Sequence, residues 1–351
     1  MLLLAATLWS QRPTGGFSGP ELAAEYVRLA ADLDQKGDYD QAIRYYSQAL
    51  QLDPNLVDAY FGRGACWDKK GKREKALADY DEAIRINPRR ADVYNNRGII
   101  WDELKQFDKA IADYDEAIRI SPQLADAYYG RGTSWFAKGD CEKAIADYNK
   151  AIRINPEYAM AYRLRGVAWD EKGEYAKAIA DYNRAIRMEP GYAMAYYCRG
   201  FARFNHYHHE LAMKDFASAS RLNPANAYAA LNLAMSRMRL GEADYANLLG
   251  QGASTLGEGW PMPVIGFYTG RLRADEMLAA AKDPDETRNK NQLCEAEFYL
   301  GEWALLHGQR RLAIDNFGLA RAGCPHDYYE YIGAVKELIR ISASAPEKAT
   351  Q

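Results

Sequence analysis

The chain has 351 residues, of which 48% are hydrophobic and 26% are charged, so it is long enough to bury a substantial core. Its formal net charge is -3. That charge argues against a nucleic-acid-binding protein, because such proteins usually present a strongly basic face. No stretch approaches the ~20 consecutive apolar residues that a membrane-spanning helix requires.

Residues 1–22 are predicted to form an N-terminal tail. A short apolar run, residues 2–9, is followed by a turn-rich segment, residues 14–20. The run could be the remnant of a secretory signal peptide, although it lacks a basic start and a clear small-residue cleavage site. It could equally be a frayed tail with a few apolar residues, and the sequence leaves both interpretations open.

From residue 23 the sequence is periodic. Six prolines recur at one constant interval: Pro54, Pro88, Pro122, Pro156, Pro190 and Pro224. Three further rows keep the same step: the glycines at 64, 98, 132, 166 and 200, the alanines at 76, 110, 144, 178 and 212, and the aromatic residues at 80, 114, 148, 182 and 216. A constant period of this length is the signature of a repeat architecture.

These rows resemble the tetratricopeptide repeat. The repeats are 23–56, 57–90, 91–124, 125–158, 159–192 and 193–226. The resemblance implies an all-α fold, a right-handed superhelical solenoid of antiparallel helical hairpins. Each repeat would contribute a helix A and a helix B, as in Ala125 to about Lys138 and Glu142 to about Ile154. A single hairpin cannot bury its own apolar faces, so neighbouring repeats must stack.

Two charged rows follow the same period. Arginines at 63, 97, 131, 165 and 199 are each followed sixteen residues later by an aspartate, at 79, 113, 147, 181 and 215. We expect ion pairs that link helix A to helix B, or one repeat to the next. Five ligand-binding arginines are the alternative.

After Pro224 the pattern weakens. Residues 227–293 are predicted to be a degenerate repeat followed by an irregular helical insert, with a polar stretch from Asp285 to Asn291. The period returns in one further repeat, 294–327. A capping helix is expected at 328–341, because terminal repeats must cover an exposed apolar end, and 342–351 is expected to be a disordered tail.

The C-terminal part has a second resemblance. The segments 264–270 and 295–301, and the residues from Tyr331 to Leu338, resemble the end of the NlpI family of bacterial outer-membrane lipoproteins. That family implies a bacterial source, a periplasmic or cell-envelope location and an adaptor role, with the cytoplasm as the alternative location. The sequence departs from the family in having no lipobox cysteine, since its first cysteine is Cys66.

The sequence holds none of the usual catalytic motifs: it has no phosphate-binding loop, no H-E-x-x-H and no G-x-S-x-G. The five cysteines are scattered and form no C-x-x-C pair, so we expect buried thiols rather than disulfides or a zinc site. His206, His208 and His209 cluster in one turn, where metal binding is conceivable but a surface turn is favoured. We therefore expect no enzyme, no cofactor and no metal.

What remains is a binding surface. In tetratricopeptide repeats, positions 2, 5, 9, 12 and 13 of helix A line a groove; we call these positions the helix-A face. The early repeats offer there Asp58, Asp68, Asp92, Asn95, Asp102 and Glu103. The later repeats offer Tyr129, Phe136, Met160, Arg163, Met194, Tyr197, Phe201 and Phe204, with Asp170 and Glu171 among them.

These residues suggest a scaffold or adaptor that binds a protein or peptide partner. Basic residues of the partner would contact the acidic early repeats, and its apolar residues would contact the aromatic and methionine side chains of the later ones. Three alternatives remain open. The same residues could pack helix A against the next helix A, the surfaces could form a homodimer or larger assembly, or, less plausibly, the irregular insert could hold an enzyme site.

Overall fold

The computed structural model describes residues 18–252, 256, 259–325 and 328–343. Within those residues the chain is an all-α helical repeat array of nineteen helices with no strand. Residues 1–17 of the expected N-terminal tail, with its possible signal remnant, and residues 344–351 of the expected C-terminal tail lie outside the described residues. None of the helices in the described part has the length and apolar character needed to cross a bilayer.

In chain order the helices are α1 Gly19–Gln35, α2 Tyr39–Leu52, α3 Val57–Lys69, α4 Arg73–Ile86, α5 Ala91–Glu103, α6 Phe107–Ile120, α7 Ala125–Ala137, α8 Cys141–Ile154, α9 Ala159–Glu171, α10 Tyr175–Met188, α11 Ala193–Asn205, α12 His209–Leu222, α13 Ala227–Arg239, α14 Tyr245–Gly252, α15 Met262–Tyr268, α16 Ala274–Ala280, α17 Glu286–Leu306, α18 Arg310–Gly323 and α19 Tyr329–Ala343. They group into two compact bodies, an N-terminal body through Ser134 and a C-terminal body from Trp135.

Within each body the glycine row and the aromatic row meet between helix A and helix B. Gly166 on α9 faces Tyr182 on α10, and a Cβ atom added to this glycine would lie 2.7 Å from the Tyr182 ring. The Tyr182 side chain is fully buried. The absence of a side chain at the glycine is therefore what lets the two helices of a repeat approach over an aromatic ring. The predicted hairpin of a helix A and a helix B is confirmed for this repeat.

The predicted arginine–aspartate pairs are confirmed for Arg63, Arg97, Arg165 and Arg199. Each of these four arginines also bonds to the preceding repeat. Arg97 on α5 donates two hydrogen bonds to Asp113 on α6, at 2.7 and 2.6 Å. Its remaining Nη1 atom donates to Asp81 on the preceding helix B, α4, at 2.6 Å. Arg199 makes the same pattern in the C-terminal body, with Asp215 and Asn183. One guanidinium thus links both helices of its repeat and the neighbouring repeat.

The N-terminal boundary differs from the sequence-based expectation. Helix α1 begins at Gly19, inside the segment that was expected to be a tail. The Glu21 carboxylate accepts hydrogen bonds from the backbone N–H and the hydroxyl of Ser18, at 2.8 and 3.0 Å. Pro20 is compatible with this start, because the first helical turn leaves its N–H groups without intrahelical partners. The expected turn-rich segment therefore ends in a capped helix.

The polar stretch expected from Asp285 is instead the first turns of a 21-residue helix, α17. The Asp285 side chain accepts a hydrogen bond from the Arg288 backbone N–H at 2.8 Å and caps the helix. The residues of these turns are polar because they are mostly exposed. A polar segment without apolar periodicity can therefore be helical, and the expectation of an irregular stretch is wrong here.

The expectation that the cysteines are free thiols is wrong for one pair. Cys294 on α17 and Cys324, directly after α18, form a disulfide, with their Cα atoms 5.1 Å apart. Cys66, Cys141 and Cys198 are free. The antiparallel packing of α17 and α18 brings together two residues 30 positions apart in the chain. Spacing alone could not reveal that pairing.

Candidate functional site: the helix-A face

In the N-terminal body, three of the acidic helix-A residues form ion pairs. Arg90 lies between Asp58 and Asp92, with N–O distances of 2.6 and 2.7 Å. Glu103 pairs with Arg73 at 2.6 Å. These pairs are largely exposed, so each contributes little to stability and can exchange for another cation.

Asp68 and Asp102 behave differently. They occupy the same position in two consecutive repeats, and both are half-buried. Asp102 accepts hydrogen bonds from the hydroxyls of Tyr114 and Ser134, at 3.0 and 2.5 Å. No basic side chain of the described residues forms an ion pair with either carboxylate. Burial raises the pKa of both groups, and the charge of Glu103 raises the pKa of Asp68 further.

Asn95 lies on the same face, on the same helix as Asp102. It is buried, with 7% of its surface exposed, and its amide nitrogen donates to Asn96 at 3.4 Å. Its amide oxygen accepts no hydrogen bond in the described part of the chain. An unsatisfied buried oxygen of this kind carries a free-energy cost that a donor could relieve.

The later helix-A residues differ in accessibility. Tyr129, at the end of the N-terminal body, is half-buried, and Phe136 is buried. In the C-terminal body Met160 and Met194 are exposed, at 44% and 41%. Arg163 donates to the Tyr192 hydroxyl at 2.6 Å and approaches Cys198 Sγ at 3.9 Å.

Tyr197, Phe201 and Phe204 are buried, with 5%, 0% and 2% of their surface exposed. The C-terminal helices cover them. The ring of Tyr329 on α19 lies 5.5 Å from that of Tyr197 and 5.1 Å from that of Phe201. A partner segment laid along the helix-A face cannot pack against the Tyr197 and Phe201 rings unless α19 moves. The apolar end of the expected groove is filled by the chain itself.

The same helix places a lysine on the helix-A face. Lys336 of α19 lies 2.9 Å from Asp170 of α9, and His206 lies 3.7 Å from the same carboxylate oxygen. Burial on its own would raise the pKa of Asp170, but the hydrogen bond from His206 and the charge of Lys336 outweigh that effect and leave the pKa below its ordinary range. Asp170 occupies the repeat position of Asp68 and Asp102, two repeats beyond Asp102.

Sequence reasoning missed the role of Lys336. The three aspartates share one repeat position, which the period makes apparent, but their partner lies 166 positions from Asp170. A lysine on the amphipathic last helix was the available signal. It did not show where that helix docks.

The histidine cluster has a structural environment. The His206 ring stacks on Tyr175 at 4.1 Å, and His209 packs against Phe204. Burial, with the charges of Arg239 and Arg340 nearby, lowers the pKa of His209 to about 4. Across the described residues no group of three or more histidine, cysteine or acidic side chains is arranged to hold a metal ion.

Stacked antiparallel helix pairs with a constant period define an all-α helical repeat protein. The tetratricopeptide-repeat family models match residues 33–66, 57–90, 91–124 and 129–193. The chain therefore contains tetratricopeptide repeats. A search of curated protein sequences finds no match.

Solved structures with a similar fold include three that match most of the chain. PilF of Pseudomonas aeruginosa is 20% identical, with a TM-score of 0.54, over 61% of this chain and 96% of that one. A tetratricopeptide repeat protein of Parabacteroides merdae is 21% identical, with a TM-score of 0.55, over 71% and 98%. One chain of the APC/C hetero-tetramer Cut9–Hcn1 is 18% identical, with a TM-score of 0.56, over 67% of this chain and 45% of that one. These likenesses concern the fold.

Proposed function

We propose that this protein is a binding scaffold whose N-terminal body binds a basic segment of a protein partner on its helix-A face. The observation that carries the proposal is the Lys336–Asp170 pair, at 2.9 Å. In that pair an aspartate at position 12 of helix A accepts a hydrogen bond from a lysine on a helix packed across the repeats. Asp68 and Asp102 present the same side chain at the same position and form no ion pair with the described residues, although the charges of Arg73 and Lys69 act on Asp68.

The electrostatics of this face support a cationic partner. The face carries five carboxylates, and only three of them form ion pairs, with Arg73 and Arg90. The five are Asp58, Asp68, Asp92, Asp102 and Glu103. Burial keeps the two unpaired carboxylates costly to ionise. A lysine or arginine brought beside them would relieve that cost, in the way that Lys336 and His206 lower the pKa of Asp170. The surface thus favours a basic segment over an acidic one.

The apolar part of the sequence-based hypothesis changes. Tyr197 and Phe201 lie against Tyr329 of α19, and Phe204 is 2% exposed, so the proposal does not use these three residues. Asn95 would contribute through its unsatisfied amide oxygen, which can accept a hydrogen bond from a partner's backbone or side chain. Met160 and Met194 stay exposed on the C-terminal body and offer apolar contacts that a partner can reach.

The test is a binding titration with two designed peptides. They would have the same length and helix propensity, one carrying lysines and the other glutamates at the same positions. Fluorescence anisotropy with the full chain is expected to detect only the lysine peptide, with an affinity that falls as salt is raised. The double variant Asp68→Asn, Asp102→Asn is expected to weaken binding about tenfold or more, which corresponds to ~1.4 kcal/mol.

The matched control is Glu82→Gln, Glu116→Gln. It removes the same charge from two exposed helix-B residues that pair only with Arg85 and Arg119 in their own helices. This variant should bind the lysine peptide as the unmodified chain does. Equal weakening by both double variants would show that only net charge matters, and would contradict a defined site. Light scattering could instead show that the full chain dimerises and that Asp68→Asn, Asp102→Asn abolishes the dimer. A second copy of the chain would then be the partner.

We further propose a cell-envelope location. The resemblance of the C-terminal segments to the NlpI family supports it. The Cys294–Cys324 disulfide supports it as well, because disulfides persist mainly in oxidising compartments. Alkylation of free thiols in protein from its native host, followed by mass spectrometry, should find Cys294 and Cys324 protected and Cys66 alkylated after unfolding. Alkylation of all five cysteines would argue for the cytoplasm.

A further inference from the structure

The C-terminal body contains a cavity of about 350 Å³, lined by α11, the start of α13, α17 and α19. Pockets of this size accept small organic groups rather than bare ions. The walls are aromatic and apolar, with contributions from Tyr197, Tyr228, Tyr329 and Met194. Met194, which is 41% exposed, leaves the cavity open to a ligand from solvent.

Two acidic side chains line the same cavity, Glu295 from α17 and Glu330 from α19. Both are more than nine-tenths buried, with 6% and 5% of their surface exposed. Tyr228 Oη and Trp260 Nε1 both donate to Glu295 Oε2, at 2.7 Å each. Tyr299 Oη lies 3.2 Å from Glu330 Oε1. No other side chain of the described residues donates a hydrogen bond to either carboxylate, and Glu330 also accepts one from its own backbone N–H.

No lysine or arginine of the described residues forms an ion pair with either glutamate. The buried ion pairs of this body use other acids: Arg239 pairs with Glu302 and Glu337, and Lys336 pairs with Asp170. Buried carboxylates are normally paired, because an isolated buried charge is costly. Glu295 and Glu330 are therefore two buried acids without a basic partner among the described residues, at the wall of an open aromatic cavity.

We propose that this cavity binds an organic cation that carries N–H groups, an alkylammonium or guanidinium. The carboxylate oxygens of Glu295 and Glu330 would accept its hydrogen bonds, and charge-assisted bonds of this kind are stronger than those between neutral groups. The faces of the tyrosines would stabilise the positive charge by cation–π attraction. Met194 and the aromatic edges would contact the alkyl part.

This site does not depend on the basic-segment site of the N-terminal body. The ligand could be a free amine or the side chain of a lysine or arginine in a protein. Both sources share the same recognition chemistry, and titration with a free and a capped amine separates them.

Protonation should be linked to ligand binding. Burial, and then the charge of Glu295, raise the pKa of Glu330 to about 8. Burial also raises the pKa of Glu295, against the hydrogen bonds from Trp260 and Tyr228. The remaining titratable groups around the pair are tyrosine hydroxyls, which stay neutral below about pH 9. A cation binds the ionised pair, so binding should release a proton near neutral pH and strengthen as pH rises.

The experiment is isothermal titration calorimetry of the full chain with n-butylammonium, with N-acetyl-lysine methylamide and with 1-butanol. We expect n-butylammonium to bind and the neutral alcohol not to bind. Affinity for n-butylammonium should be at least about tenfold weaker at pH 6.0 than at pH 8.5, where the ligand is still protonated. Binding of the capped lysine as well would point to a protein side chain as the source, and its failure beside bound butylammonium would point to a free amine.

Two variants and one control test the location of the site. Glu330→Gln should weaken n-butylammonium binding about tenfold or more at pH 8.5, whereas Glu286→Gln, an exposed acid at the start of α17, should leave it unchanged. Met194→Lys places a cation at the cavity edge that can occupy the site from within. It should abolish the heat of binding while the circular dichroism spectrum keeps its helical form.

The proposal is overturned if butanol binds as well as the cations, if neither cation binds at 10 mM (an upper limit of roughly 2.7 kcal/mol of binding), or if Met194→Lys leaves the titration unchanged. Met194→Lys keeps the test decisive even where Glu330→Gln disturbs folding, because Met194 contributes an exposed side chain.

Discussion

Lys336 Nζ lies 2.9 Å from Asp170 Oδ1, although the two residues are 166 positions apart in the chain. The Asp170 side chain is 3% exposed and that of Lys336 is 19% exposed. His206 completes the group, with its Nε2 atom 3.1 Å from the lysine nitrogen. This contact fixes α19 across the helix-A face of the repeats in the C-terminal body.

Removing the lysine should destabilise that body. Lys336→Met leaves Asp170 buried with only His206 beside it, and breaking a buried ion pair costs about 3 kcal/mol. Urea unfolding followed by circular dichroism measures the loss. Adding Asp170→Asn to Lys336→Met should recover part of it, because the unpaired charge is then gone. Lys290→Met, at an exposed position of α17, should change the free energy of unfolding by less than about 0.5 kcal/mol. An equal effect at both lysines would show that the pair does not hold the helix.

The arginine row should be structural. Asp113→Asn takes away the charge that Arg97 grips through two hydrogen bonds, so we expect a loss of about 2 kcal/mol in the free energy of unfolding. Glu116→Gln is the matched control in the same helix, because Glu116 forms only an exposed pair with Arg119. If the Asp113→Asn variant unfolds at the same urea concentration as the unmodified chain, the arginine row has no structural role.

Two glycines in helices should respond to alanine with opposite signs. At Gly166 the added Cβ would lie 2.7 Å from the Tyr182 ring, so Gly166→Ala should destabilise by about 2 kcal/mol. At Gly318, in α18, no atom lies within 4 Å of an added Cβ, and Gly318→Ala should stabilise by about 0.5–1 kcal/mol. Thermal unfolding of the two variants measures both effects. Loss of stability at Gly318 would mean that the space beside it is filled.

Stability of the C-terminal body should fall as pH rises from 6.5 to 8. The pKa of Glu330 is raised by burial to about 8 in the folded chain, whereas an unfolded glutamate titrates near ~4.3. The folded state therefore holds a proton that the unfolded state has already lost, and raising the pH favours unfolding by about 1–2 kcal/mol over this window. Burial raises the pKa of Glu302 to about 7 despite Arg239, which acts in the same direction.

Urea midpoints at pH 6.5 and 8.0 test this dependence. His209 does not contribute there, because burial lowers its pKa to about 4, below the window. Glu330→Gln should reduce the slope. A midpoint that rises with pH would contradict the assigned direction.

The repeats could be predicted from sequence because their contacts are local. The Gly, Ala and aromatic rows recur with one constant step, and each contact joins residues a few turns apart, such as Gly166 and Tyr182. The arginine rows were predictable for the same reason, since the spacing of sixteen residues is constant. A period shows which side chains share a position and therefore which ones meet.

The candidate site was less predictable. Nothing in the sequence around Tyr329 or Lys336 shows that their helix lies over Tyr197 and Asp170, because those contacts join parts of the chain that are far apart in sequence. The sequence did not predict the Cys294–Cys324 disulfide or the early start of α17, for related reasons. A disulfide needs two Cα atoms in reach, and an exposed helical turn carries no apolar signal.

The double grip of each arginine has an evolutionary consequence. Arg63 and Arg97 each reach sixteen residues forward to an aspartate, and sixteen residues back to the preceding hairpin. Duplicating or deleting one whole repeat would preserve all of these arginine hydrogen bonds, so the N-terminal body can change its length by whole repeats. The two repeats under α19 lack that freedom, because Asp170 must contact Lys336 and Tyr197 must contact Tyr329. Length variation among relatives should therefore accumulate before residue 159 and stop there.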